Sequence, residues 1–474
     1  MVYQRPTVGS MKKWADEVGD DSYEWDNFLP YFKKSINFTT PNMEMRFENS
    51  TPSYVLEDAA YTGDKVGPVG VSFPNYAQPY ASWAIKGLNQ IGLKTLPGFL
   101  SGKLIGTSWV PSTVHGTTMN RVSSETSFLD SALKTTQLKV HPMTLAKQII
   151  FDENKKATGV LVETGGFTYL LSANKEIIVT GGVFNTPALL QVSGVGPKDL
   201  LESLDIPVIV DSPGVGTNMN DHIFFDVTYR VNVPTLTRVV DDPVYAAEQA
   251  ALFNAVPPGG QLTNPNTDVI GWEKVPDNLR SSFSNESQAA LAQFPADWPE
   301  IEYLVISTLL GPQLESRSLG PKDGFNYAAL AAALITPVSR GTVKIVSKDT
   351  NVLPLVDPGY LTAQSDRDVT VAAFKRLRQF WATDVMKNIT IGEEYYPGAK
   401  VQTDDDILQF IQSTFNTVWH ATSTTAMGPA SNPNAVVDTK GQVYGVTGLR
   451  VADAAAFPFL SPGHLMSVVC ECFP

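Results

Sequence analysis

Glu176-Ile-Ile-Val-Thr180 followed by Gly181-Gly-Val-Phe-Asn-Thr-Pro-Ala-Leu-Leu190 and on to Gly196 is the stretch from which the fold is read. A short apolar, β-branched run enters two glycines, and an apolar stretch with helical spacing leaves them. Asn185 or Thr186 is placed to cap that helix, whose first turn accepts Pro187. The pattern is a strand-to-helix turn with glycines at the bend, the unit from which α/β sheets are built.

Upstream, Gln137 to Val179 alternates as strands over Ala146 to Phe151, Thr158 to Glu163 and Glu176 to Thr180, broken at Asp152 to Lys156 and Gly165-Gly166. It predicts a β-meander attached to a larger sheet. Farther upstream, Trp14, Trp25, Phe28, Leu29, Tyr31 and Phe32 give an aromatic-rich helical region whose simplest role is core packing. Downstream, Gly214-Val-Gly216 makes a second bend before Asn218 and Asp221-His222. Between Phe224 and Val418, strand-like runs (Ile301 to Ser307, Gly341 to Val346) mix with amphipathic helices (Asp366 to Ala382, Asp404 to Phe415), which suits an α+β substrate-side domain.

With 474 residues the chain is long enough for about three domain-sized units or two large interleaved ones. Its composition, 43% hydrophobic and 18% charged, is that of a globular protein with a substantial core. The net charge of −13, with no Lys/Arg stripe, offers no field for a nucleic-acid backbone or an anionic bilayer, so neither is an expected partner. Tyr327 to Val338 is the longest apolar stretch and is too short for the ~18 to 20 residues of a membrane span. It reads as a buried element. Cys470 and Cys472 supply neither a disulfide framework nor a CxxC metal pattern. Asn37, Asn49, Asn285 and Asn388 lie in Asn-x-Ser/Thr sequons of the kind that arise by chance, and no leader precedes Tyr3.

Two of the five histidines are placed as catalytic groups would be. His420 follows a predicted helix, and His464 follows Ser461-Pro462, an N-cap and first-turn pair that predicts a helix with His464, Leu465 and Met466 in its first turn. The positive end of such a helix favours developing negative charge. An unperturbed imidazole, with a pKa of about 6.5, can take the hydroxyl proton of an alcohol at neutral pH.

Four spaced blocks resemble the glucose-methanol-choline family: Met1-Val-Tyr-Gln-Arg-Pro6, Gly181 to Gly196, Gly214 to His222, and His420 to Met427 together with Gly448 to Met466. Arg121 to Ser124, Pro337 to Gly341 and Val356 to Tyr360 are smaller matches between them, so the resemblance spans nearly the whole chain. It implies an α/β fold, α+β overall: a Rossmann-like FAD-binding domain, incomplete here, interleaved with a substrate domain on an antiparallel sheet. The implied division gives 1–50, 116–225 and 426–474 to the FAD-binding domain and 51–115 and 226–425 to the substrate domain.

The resemblance further implies FAD as cofactor, a small-molecule alcohol as substrate, hydride transfer to flavin N5, and oxygen or quinone as final acceptor. His420 matches the general base and His464 the group that hydrogen-bonds the alcohol oxygen. Asp453 and Ala454 match the position that meets the ribityl-pyrophosphate part of FAD, Met466 a backbone contact to the flavin ring, and Ala146 the strand residue whose backbone meets adenine, with Gly181 at the glycine bend also on the cofactor side. His222 matches a structural position without a catalytic role. The sequence departs from the family in three places. No strand-GxGxxG-helix unit occurs, so the chain reads as entered mid-domain; Val468 to Pro474 reads as a shortened helix; and Ser423 stands where the family commonly has glycine. Members of the family that close rings or cleave cyanohydrins make acid–base chemistry without a redox step the alternative, and a remnant unable to hold FAD a further one.

Overall fold

The computed structural model describes residues 2–52, 54, 67–311 and 321–471. Met1 and Cys472 lie outside them. The centre is an antiparallel sheet in the order Thr390–Tyr396, Ile223–Val231, Asn326–Leu334, Ile301–Ile306, Val269–Glu273, Gly106–Trp109, with Asn416–Thr417 also pairing to Ile223–Val231. The apolar stretch identified at Tyr327 to Val338 supplies its central strand. Alanine favours helix by intrinsic propensity. Here Ala328, Ala329, Ala331, Ala332 and Ala333 are all fully buried between two packed faces, where small side chains let neighbours approach.

The two faces of the sheet belong to different cores, as the two-residue period of a strand requires. Ile301, Tyr303 and Val305 pack with Phe374, Leu377, Phe380 and Trp381 of the Gln364–Trp381 helix. Leu304 and Ile306 pack on the opposite face with Trp272, Phe224 and the aromatics of the Val8–Val18 and Trp25–Ser35 helices. Glu302 shares that second face.

The glycine-bend region forms a two-stranded parallel pair, Ile177–Val179 with Leu449–Val451. It is followed by the Gly182–Val192 helix. The meander is present as Thr144–Phe151, Ala157–Thr164 and Phe167–Ser172, the last a strand not anticipated. It is a separate three-stranded sheet and is not hydrogen-bonded into a larger one.

Two helix starts differ from expectation. The first begins at Gly182, not after Asn185 or Thr186, because its cap comes from far along the chain: the Asp453 carboxylate accepts from the Gly182 amide at 2.9 Å and from Thr186 Oγ1 at 2.6 Å. The second begins at Met466, not at Ser461-Pro462. Gly463 has φ +90°, a conformation outside the helix, and Gln4 Nε2 donates to the His464 carbonyl at 3.0 Å. His464 therefore precedes the helix, and Ser461 Oγ caps nothing. Among the described residues no helix is long and apolar enough to cross a membrane.

Candidate active site

His420 and His464 meet. Their ring centroids are 4.8 Å apart and their planes cross at 89°, although the two residues come from different segments of the chain.

Backbone bonds on both sides hold the loop that carries His420. Val418 N donates to the His222 carbonyl, His420 N to Asp221 Oδ1 (2.9 Å) and Thr422 N to the Asn220 carbonyl. Beyond the histidine, Ser423, Thr425 and Met427 donate to the carbonyls of Ala454, Ala455 and Ala456. Asp221 Oδ2 also accepts from Tyr360 and Thr417, so one buried carboxylate ties its own segment and that of Tyr360 to the loop. Two non-glycine residues take left-handed conformations in it, Trp419 (φ +60°) and Ser423 (φ +74°). The second explains why glycine suits position 423, since a side chain there carries steric cost.

His464 Nε2 lies 2.8 Å from Glu302 Oε1. Glu302 is fully buried, and its Oε2 has no partner. On the other side, His420 Nδ1 is 3.0 Å from His222 Nδ1, and those rings cross at 79°. The site is thus a row: Glu302, His464, His420, His222. Burial, then the neighbouring imidazoles, hold the pKa of His420 well below the usual histidine range. Burial takes His222 down to about 3, with His464 adding to the effect. Both are neutral at physiological pH. Neither Glu302 nor His222 was anticipated as part of the site. The signal for the first was a lone carboxylate in the apolar run Ile301-Glu-Tyr-Leu-Val-Ile306.

The remaining positions fall into two groups. Gly181, Asp453 and Ala454 are drawn together at the start of the Gly182–Val192 helix and joined to the His420 loop through the Ala454 carbonyl. Asp453 spends both oxygens on the chain, Oδ1 accepting from Ala455 N at 2.7 Å. Met466 packs near Tyr3 and Leu100 beyond His464. Ala146 is not brought to this cluster: it lies in the meander, where its carbonyl accepts from Thr350. A cavity of about 680 Å³, walled by Trp298, Phe459, Met427 and Arg340, is lined by neither imidazole.

Family comparison agrees with the layout of the chain. The profile described as GMC oxidoreductase matches residues 1–224 and 337–470. The chain belongs to the GMC oxidoreductase family. Oxidoreductase cicC of Emericella nidulans is 46% identical over 470 residues, covering 99% of this chain and 76% of the relative. Patulin synthase of Penicillium expansum is likewise 46% identical, over 99% of this chain and 74% of its own length. An FAD-dependent oxidoreductase from Chaetomium thermophilum superposes with a TM-score of 0.85 at 28% identity, covering 100% of this chain and 82% of that one.

This GMC protein therefore has the family's mixed α/β architecture, an FAD-binding part beside a substrate domain on an antiparallel sheet. It is an FAD-dependent oxidoreductase by family, and GMC proteins bind FAD. The residues present fit the flavin end of the cofactor. The imidazole pair is assembled, and a Cβ built on Gly182 meets nothing within 4 Å, leaving the start of that helix open to a bulky group.

Proposed function

We propose that this GMC oxidoreductase oxidises the CH-OH group of a small-molecule alcohol, with His420 as the base and His464 as the hydrogen-bonding partner of the alcohol oxygen. The supporting observation is the edge-on contact of these two imidazoles, 4.8 Å apart, each held by a different residue on its far side. A neutral His420 has a lone pair for the hydroxyl proton. Glu302 steers the His464 ring from the other side, so the alcohol oxygen would sit between two imidazoles with different partners. When FAD is bound it supplies the acceptor for the carbinol hydride; oxygen or a quinone then takes the electrons.

In this reading Gly181, Asp453, Ala454 and Met466 border the cofactor, Ala146 lies toward its adenine end, and the FAD-binding and substrate domains divide at the boundaries the family resemblance implies. Trp419 stands 67% exposed beside His420, tilted against Phe224, and offers a ring face to an aryl or other bulky apolar alcohol.

The test is anaerobic mixing of FAD-loaded protein with aromatic, aliphatic and sugar alcohols while the flavin band is followed. Bleaching by aromatic alcohols, abolished in His420→Ala, is expected. Turnover with the flavin oxidised throughout would replace the redox reading by an acid–base one, and no reaction with any of the three classes would remove both.

A further inference from the structure

We propose that His222 is a positioning residue: its Nδ1 accepts the hydrogen bond from His420 Nδ1–H, and this leaves the Nε2 lone pair of His420 free to act as the base. The inference deepens the function just proposed and rests on the base role given there to His420.

The two Nδ1 atoms are 3.0 Å apart with the rings crossed at 79°. Two lone pairs do not face one another at that distance, so one nitrogen carries the hydrogen, and the direction of the bond decides what His420 can do. Were His222 the donor, the only N–H of a neutral His420 would sit on Nε2, and the ring would offer the alcohol a donor instead of a base.

The base role of His420 sets the direction. Its Nδ1 is taken up by His222, so Nε2 is the nitrogen left to receive the hydroxyl proton, and a neutral ring with Nε2 bare carries its hydrogen on Nδ1. His420 must then donate from Nδ1, and the fully buried His222 ring accepts.

The groups facing His420 are His222, His464, Glu302 behind His464, and Asp221, which accepts the His420 backbone N–H. Asp221 and His222 are adjacent in sequence, so one dipeptide holds both the backbone and the ring of the base, and the His222 carbonyl holds Val418 as well. On taking the hydroxyl proton at Nε2, His420 becomes an imidazolium whose Nδ1–H is already partnered, with no ring flip required.

The experiment is histidine-selective ¹⁵N labelling of the FAD-incubated protein, in which only five histidines contribute. Long-range ¹H–¹⁵N spectra are recorded near neutral pH for the parent, His222→Phe and His222→Asn, with His420 assigned by its loss in His420→Gln. The parent should show His420 protonated at Nδ1 and bare at Nε2. His222→Asn, which places an acceptor oxygen near the former Nδ1, should keep that pattern and remain within tenfold of the parent kcat. His222→Phe should move the hydrogen to Nε2 and lose at least a hundredfold in kcat with KM within threefold.

A parent His420 carrying its hydrogen on Nε2, or the same pattern in His222→Phe, would overturn the inference. So would a His222→Phe enzyme with full kcat. The spectrum reads the imidazoles without substrate. If its pattern is as expected while no alcohol is oxidised, the positioning stands and the redox reading falls; if alcohol is oxidised but the hydrogen sits on Nε2, the redox reading stands and the positioning falls.

Discussion

Replacing Asp453 by asparagine should destabilise the protein by about 2.5–6 kcal/mol. The carboxylate accepts three hydrogen bonds, from Gly182 N at 2.9 Å, Thr186 Oγ1 at 2.6 Å and Ala455 N at 2.7 Å. Asparagine keeps one oxygen. Set against Gly182 and Thr186, it leaves its own NH₂ facing the Ala455 amide, so one bond to a charged group is lost at about 1.5–3 kcal/mol. The other two weaken from charged to neutral strength, a further loss of about 0.5–1.5 kcal/mol each. The damage should spread, because Ala454, Ala455 and Ala456 hold the His420 loop through Ser423, Thr425 and Met427. Urea unfolding followed by tryptophan fluorescence measures the change as a lower midpoint at unchanged slope. A shift under about 1 kcal/mol would refute the reasoning that Asp453 is a strut of the chain itself.

Burial raises the pKa of Asp226 from the ordinary 3.8 to about 7, so the folded state keeps a proton that the unfolded state releases. Its contribution to stability is full below about pH 4 and is lost as the pH rises through 7, by about 4 kcal/mol in all. Asp226→Asn should therefore match the parent near pH 4 and exceed it at pH 8, measured by paired urea titrations; equal gains at both values would contradict it. Gly463→Ala should cost more than about 2 kcal/mol and displace His464, since a Cβ there meets Gln4 Nε2 at 2.2 Å and φ is +90°. A variant with parental thermal stability and flavin reduction rate would count against the proposed support of His464 by Gln4.

Much of the fold could be read locally because the deciding signals were local. The helices expected at Asp366 to Ala382 and Asp404 to Phe415 occur at Gln364–Trp381 and Asp404–Thr414, and the second has an acidic first turn and a Thr403 cap. What stayed hidden depended on distant partners. The Gly182 helix takes its cap from Asp453, and Gly463 is fixed by Gln4 from the other end of the chain, so neither helix start could be located by its own neighbours. The strand at Asn326–Leu334 announced burial but not its type, because alanine carries no period-2 contrast when both faces are apolar.

At the site, the two histidines stood out through the blocks around them. Glu302 and His222 did not, because their importance comes from which side chain lies opposite, and sheet pairing decides that. Glu302 reaches His464 only because its strand pairs with Asn326–Leu334 and turns even-numbered residues toward the Trp272 side. His222 reaches His420 because Ile223 pairs with Thr417, which sets the two loops side by side.

The most direct measurement is a double-mutant cycle on flavin reduction: rapid anaerobic mixing of FAD-loaded parent, His420→Ala, His464→Ala and the double variant with a reactive alcohol. If both imidazoles serve one alcohol oxygen, each single variant loses at least about a hundredfold and the double variant loses little more than the worse single one. Losses that multiply, or a single variant that reduces flavin at the parental rate, would contradict the shared site.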